Sequence, residues 1–249
     1  MDRAFKTLAL LLGFASIGIA QELKACYRAY LFLLPVAETC ITYRQEGDKL
    51  KTESFVKTIN VGKLVKRVYN KGEAIISLSD LKPIHFVYYQ EEGEFKRFQE
   101  YRFSEDRIRV TEIKYVKLTD EIEKREEKEH IYRGYVDPYT ASLMLYKDTA
   151  RFESGTVRMF YDDKEYILPY SVKGMERIGE FNARKVEVYP NIETKGLLRP
   201  RGTWYLWVDQ ETNLPIRMEL KFLIGSASAK IERIEGDKNL LRNSLNVKR

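Results

Sequence analysis

The chain has 249 residues, of which 43 are basic and 37 acidic, giving a net charge of +6, and it carries only two cysteines and two histidines. So small a charge excess, dispersed among nearly as many acids, argues against nucleic acid as a partner and leaves either an ordinary solvated surface or a peripheral contact with anionic lipid headgroups. The two cysteines and two histidines also leave little from which to build a metal centre or a redox motif.

Residues 1–20 read as a signal peptide. Arg3 and Lys6 form a positive start, Leu8 to Ile19 an apolar core, and Gly18 and Ala20 the small residues before a cleavage site. That core is too short to span a bilayer comfortably. Export to the periplasm is therefore expected, with a mature start near Gln21. Lipidation at Cys26 fits poorly, because Lys24 lies so close to it and the apolar core ends several residues earlier. Residues 21–235 show no linker, repeat or composition break and are expected to form a single β domain.

Leu23 to Leu33 and Val36 to Gln45 read as a hairpin about Leu34-Pro35. A turn centred near Leu33 places Cys26 opposite Cys40, and an exported location permits a disulfide between them, with two buried free thiols as the alternative. Lys49 to Ile59 reads as a strand. Val61 to Tyr69 is either a short helical turn or a bent strand, and Asn70-Lys71-Gly72 reads as a turn. Glu73 to Leu78, Ile84 to Gln90, Glu94 to Phe103 and Arg107 to Leu118 follow as strands. Nine of the eleven residues from Thr119 to Glu129 are charged, which suits a solvated loop or a strand extension.

Asp137-Pro138 opens the one convincing helix: aspartate caps, proline suits the first helical position, and Leu143 and Tyr146 share a face with Tyr139 one turn back. Gly155 to Tyr161 and Glu165 to Val172 read as a hairpin around Asp162-Asp163-Lys164, and Lys173 to Tyr189 as a second around Gly179-Glu180.

Lys195 to Ile234 contains the clearest alternation. Trp204, Leu206 and Val208 share one face of a strand and Thr203, Tyr205 and Trp207 the other. After a turn at Asp209 to Asn213, Ile216, Met218, Leu220 and Phe222 alternate with Arg217, Glu219 and Lys221. Residues 236–249 lose the alternation, carry a basic excess and are expected to form a poorly ordered tail. Such a run of short strands suits a large curved sheet, a sandwich or a barrel. Strands such as Phe95 to Phe103, where Lys96, Arg97, Glu100 and Arg102 occupy both faces, argue against a transmembrane barrel.

No catalytic constellation is legible. His85 and His130 have no second ligand at metal spacing, so no metal site is expected. Gly225-Ser226-Ala227-Ser228 lacks the G-x-S-x-G pattern, and there is no phosphate-binding or dinucleotide glycine loop, hence no cofactor. The carboxylate pairs Asp162/Asp163 and Glu91/Glu92 sit in turn-like segments and are expected to face solvent.

Gly196-Leu197-Leu198-Arg199, Trp207-Val208-Asp209, Leu214-Pro215-Ile216-Arg217-Met218 and Ile224-Gly225-Ser226 resemble the C-terminal signature of the exported bacterial family called domain of unknown function 3108. Val136-Asp137-Pro138 through Leu145 is similar to that family's central helix, and Gly179 to Val186 to the hairpin before the signature. Ala37 stands where the family often has glycine, and the cysteine pair is not a family feature. The resemblance implies a mainly β fold: a large curved antiparallel sheet, a half-barrel like that of the lipoprotein carriers, with a helix packed on the concave face. It brings no catalytic residues.

These readings converge on a non-enzymatic cell-envelope protein that shelters a lipid, a lipoprotein acyl chain or another apolar ligand. Trp204, Leu206, Met218, Leu220 and Phe222 are the candidate binding residues, and core packing is their ordinary alternative use. The alternative role is a structural or assembly module binding an envelope protein through a sheet edge or the charged segment.

Overall fold

Alternating apolar and polar residues pass from strand to strand through short turns, and this pattern produces one antiparallel sheet. The structure, a computed structural model, describes residues 21–190, 192, 202–222 and 225–247, apart from the side chains of residues 222 and 225. The expected leader (1–20), the Gly196 to Arg199 motif and Ile224 lie outside the described residues.

The first half comprises β1 (Gln21–Leu31), β2 (Leu34–Glu46), β3 (Lys49–Thr58), α1 (Gly62–Val65), β4 (Tyr69–Ser77), β5 (Pro83–Glu92), β6 (Phe95–Phe103), β7 (Arg107–Tyr115) and β8 (Ile122–Ile131). The second half comprises α2 (Pro138–Ala150), β9 (Gly155–Tyr161), β10 (Lys164–Ile178), β11 (Phe181–Val188), β12 (Trp204–Asp209), β13 (Pro215–Phe222), β14 (Gly225–Gly236) and α3 (Leu240–Ser244). The spatial order runs from β8 down to β1, then from β14 down to β9. Each half is a meander of sequence neighbours, and the β1–β14 pairing joins the halves at the middle of the sheet.

The sheet is strongly curved. At about 4.8 Å per strand, β6 and β9 would lie roughly 50 Å apart in a flat sheet of this order. Instead Arg97 of β6 holds Asp162, the residue just after β9, at 2.6 Å. The two ends approach each other without joining in one ladder, which makes an open half-barrel. The β9 edge is covered by a parallel bridge in which the Val136 N–H donates to the Arg158 carbonyl at 3.0 Å and the Phe160 N–H to the Val136 carbonyl at 2.8 Å. The β8 edge pairs with no further strand among the described residues and is densely charged, a composition that discourages pairing with another chain. The Thr119 to Glu129 run is thus mostly edge strand.

The inner face carries the core, with Leu23, Leu50, Ile76, Phe86, Tyr101 and Ile108 fully buried against Leu143 of α2. Each such side chain contributes on the order of 2 kcal/mol by leaving water. Cys26 faces Cys40 across β1 and β2, and the two form a disulfide spanning 14 residues. Closing so short a loop contributes on the order of 3 kcal/mol in the chain-entropy account.

Several expectations are corrected. The first hairpin turns at Phe32-Leu33 rather than at Leu34-Pro35, with Leu31 opposite Leu34. Pro35 lies in β2 beside a register shift at Ala29/Tyr30, where a residue lacking an N–H is tolerated. Asn70-Lys71-Gly72 is not a turn: all three residues lie in β4, opposite Val56, Phe55 and Ser54. Gly72 leaves room there for Tyr139 of α2 to approach the backbone, and Asn70 donates to Glu92 at 3.2 Å. The two strands expected on either side of residue 173 are one long β10, bent at a register shift beside Gly174, whose φ is 139°.

Ile216 does not share a face with Met218 and Leu220. A register shift at Trp207/Val208 breaks the alternation and moves Ile216 to the outer face, where it packs with Trp207 and Ala183. The tail expected to be poorly ordered is folded through Val247. Leu240, Leu241 and Leu245 are buried, α3 packs against β1 and β2, and Ser244 Oγ donates to Gln45 Oε1 at 2.8 Å. Two leucines in α3 and a third just past its end supply the apolar face that the strand-period reading overlooked.

Candidate functional site

The helix α2 is set into the trough of the sheet by its first residues. The Asp137 carboxylate accepts the backbone N–H of Tyr139 at 2.7 Å and of Thr140 at 3.2 Å, and also the Thr140 hydroxyl. Desolvation lifts this buried carboxyl from its ordinary value of 3.8 to about 6, and the bonds from Thr140 and Tyr139 offset part of that lift. Thr140 and Leu143 pack into the core, Tyr139 reaches over Ser54 of β3 and Gly72 of β4, Tyr146 lies near Tyr27 and Tyr43 of β1 and β2, and Ala141 and Leu145 occupy the opposite side of the helix. A helix buried on two sides lacks a wet stripe, which is why a single apolar face could not describe it.

A cleft of about 490 Å³ opens along that second side. Its wall is formed by Ala141, Ser142, Leu145 and Tyr146 of α2, by Phe86 and Tyr88 of β5, and by Val157, Met159 and Tyr161 of β9. Leu168, Val188, Trp204, Leu206, Met218 and Leu220 from β10 to β13 complete the lining, with Pro138, Tyr139 and Ile192. None of these 18 residues is charged. The volume falls within the roughly 300 to 1,000 Å³ usual for small-molecule sites, which are mostly apolar.

Several of the polar atoms of the lining are engaged within the fold. Trp204 Nε1 donates to the Lys221 carbonyl at 3.2 Å, leaving the ring against the cleft. The Tyr139 hydroxyl lies 2.5 Å from Ser54 Oγ, and Ser142 Oγ donates to the Pro138 carbonyl at 2.9 Å. Burial pushes the Tyr139 phenol up to about 12 and raises those of Tyr88, Tyr146 and Tyr161 further. The phenols are therefore neutral near neutral pH, and the described lining offers mostly apolar contact with no fixed charge.

Trp204, Leu206, Met218 and Leu220 are thus brought together on one wall. Phe222 ends β13 opposite Gly225, and its side chain lies outside the described residues. Phe86, Tyr88, Val157, Met159, Tyr161, Leu145 and Tyr146 were missed as lining residues. The alternation of the strand residues was visible within β5 and β9, but which strands and which side of α2 face each other across a half-barrel is set by curvature, which local pattern does not carry.

A second feature also escaped sequence reasoning. Asp162 and Glu92, expected to face solvent, are buried. Arg97 Nη1 donates to Asp162 at 2.6 Å and to Glu112 at 3.2 Å, and Arg97 Nη2 donates to Gln90 at 2.9 Å. Gln90 Nε2 in turn donates to Glu92 at 2.7 Å. Beside them Asp163 takes an ion pair from Lys128 and lies 3.4 Å from His130 Nε2, tying the β9–β10 turn to β8. This network ties β6, β7 and β8 to the β9–β10 turn. His85 is engaged elsewhere, 2.8 Å from Glu100 on the neighbouring strand. Among the described residues no group of three or more His, Cys, Asp or Glu is disposed to hold a metal.

Residues 26–232 match a family model described as protein of unknown function, DUF3108. Among solved structures, the fold is similar to the crystal structure of a beta-barrel-like protein of the domain of unknown function DUF1849 from Brucella abortus. The TM-score is 0.57 at 10% identity, over 87% of this chain and 98% of that one. A putative outer membrane lipoprotein-sorting protein domain from Vibrio parahaemolyticus aligns over 91% of this chain and 89% of that one, at 10% identity and a TM-score of 0.27. No curated protein matches the chain.

Proposed function

Since the chain belongs to the DUF3108 family of proteins of unknown function, we propose its role from the cleft itself: an exported, non-enzymatic envelope protein that shelters a lipid, a lipoprotein acyl chain or a similar apolar ligand between α2 and the second half of the sheet. The observation that carries this reading is the 490 Å³ cleft, whose lining among the described residues carries no charge. An acyl chain gains about 0.8 kcal/mol per methylene taken out of water, and such a site asks for no polar partner along the chain. The expected signal peptide supports the envelope location, and the disulfide suits an oxidising compartment.

The alternative, an assembly module that adds a partner strand, has less support. One sheet edge is covered by Val136 and the other presents the charged β8.

Native mass spectrometry of protein purified gently from its own envelope, followed by lipid extraction, tests the proposal, and a reproducible acyl-containing adduct is expected. Leu220→Ala supplies the second arm. Because Leu220 lines open space, its truncation should cost less than the roughly 2 to 5 kcal/mol of a packed core site while weakening uptake of a fluorescent fatty acid. Wild type that takes up no acyl probe, together with a strongly destabilised Leu220→Ala, would overturn the proposal in favour of a filled core.

A further inference from the structure

The two ends of the sheet differ in chemistry. At one end the turns Gly47-Asp48, Ser104-Glu105-Asp106 and Gly179-Glu180 contain no apolar residue, and Leu81 and Leu214 in the other connections there are buried. At the other end, the tip of the β1–β2 hairpin leaves Phe32 82% and Leu33 91% exposed, and α1 leaves Leu64 87% and Val65 70% exposed. The two tips adjoin. The Ile59 N–H donates to the Val36 carbonyl at 2.9 Å, and α1 approaches β2 so closely that a Cβ on Gly62 would fall 2.1 Å from that same oxygen.

Isolated exposed leucines are ordinary, but four large apolar side chains exposed on two adjoining turns form a patch that calls for a partner. The charge around the patch points to one. Between Ile59 and Val68 the chain carries Lys63, Lys66 and Arg67 and no acid, and Phe32 to Ala37 carries no charge at all. Lys66 lies 3.7 Å from Glu92, whereas Lys63 and Arg67 have no carboxylate partner among the described residues. A protruding two-residue turn is too narrow to bury the roughly 800 Å² per partner of a standard protein interface, and lysine is depleted at the centre of such interfaces. Apolar tips with a basic collar suit the headgroup region of an anionic bilayer, where the tips enter the acyl boundary and the cations meet phosphate.

We propose that this rim docks on an anionic lipid surface through Phe32, Leu33, Leu34, Leu64 and Val65, with Lys63 and Arg67 against the lipid phosphates. The register adds a consequence. Leu31 pairs with Ala227, and Ala227 with Leu220, so the cleft residue Leu220 lies in the same cross-strand row as the base of the hairpin tip. Docking in this way sets that end of the cleft toward the membrane. The contact is peripheral in kind: no described helix is long and apolar enough to cross a bilayer. The docking surface does not depend on what the cleft holds.

Flotation of the purified protein with vesicles of phosphatidylglycerol and phosphatidylethanolamine, against vesicles of phosphatidylcholine alone, tests this. Wild type should float with the anionic vesicles, and added salt should weaken the binding. The double variant Leu33→Asp/Leu64→Asp should lose more than about tenfold in partitioning, because two exposed leucines that would enter the acyl boundary are replaced by charges. Lys63→Glu/Arg67→Glu should lose about fivefold for each cation removed. All four side chains are largely exposed, so far-ultraviolet circular dichroism should be unchanged in both variants. Leu220→Ala, altered only in the cleft, should float as wild type does, which separates failure of the docking surface from failure of the cleft proposal. Wild type that does not float, rim variants that float equally well, or flotation that follows Leu220→Ala instead would each overturn the proposal. So would a concentration-dependent dimer that Leu33→Asp abolishes in the absence of any flotation, since the patch would then belong to a second copy of the chain.

Discussion

Tyr139 stands directly on Gly72: its hydroxyl lies 2.5 Å from Ser54 Oγ, and a Cβ at position 72 would fall 2.0 Å from that same oxygen. This contact fixes how deeply the first turn of α2 enters the trough, and hence where the cleft-facing side of the helix lies.

Gly72→Ala should therefore push Tyr139 off the sheet and cost about 1 to 3 kcal/mol of stability, the usual range for overpacking. Tyr139→Phe alone removes one buried hydrogen bond, at about 1 kcal/mol. Because both changes disturb the same contact, the double variant should cost less than the sum of the two by more than about 0.5 kcal/mol. Denaturant midpoints of the four proteins check this, and simple additivity would show that the two residues do not act on one another.

The β9–β10 turn offers a contrast between neighbours. Asp162 and Asp163 both adopt positive φ, 53° and 60°, which asparagine accepts equally well. Asp162→Asn thus keeps the turn but leaves buried Arg97 with Glu112 as its one carboxylate, and a loss of roughly 3 kcal/mol is expected from breaking a buried pair. Asp163→Asn weakens a half-exposed pair with Lys128 and should cost under about 1 kcal/mol. Equal costs in chemical denaturation would mean that the turn, rather than the buried charge, holds the half-barrel closed.

Asp137 gives a pH dependence of known sign. Its carboxyl is raised to about 6 in the folded chain by burial, above its ordinary value of 3.8, so the folded state binds its proton more tightly than the unfolded state does. The associated stability is full below about pH 4 and is lost as pH rises through 6. The lift corresponds to roughly 3 kcal/mol. Asp137→Asn retains a capping side chain but not the titration. Relative to wild type, the variant should gain stability between pH 4 and pH 7, and a difference that stays flat across that window would contradict the raised carboxyl.

The sequence alone determined the strand-dominated class, nearly every hairpin and the capped helix at Asp137-Pro138, because each of these rests on a period or a turn chemistry confined to a few neighbouring residues. It also paired Cys26 with Cys40, since two strands joined by one tight turn allow position to be counted across the ladder. It singled out Trp204, Leu206, Met218 and Leu220 as one apolar face, but could not say what they faced. Only the tertiary structure decided that, by curling the sheet until β5, β9 and α2 stood across from β12 and β13. The same curvature buried Asp162 and Glu92, which look solvent-facing in any local window, and brought Arg97 to Asp162 over 65 residues. Gly72 reads as a turn residue until Tyr139 is seen to need the space, and the leucines of α3 read as tail until β1 and β2 are there to receive them. In each case the local signal was present, but its meaning depended on a partner distant in sequence, and period and propensity carry no record of distant partners.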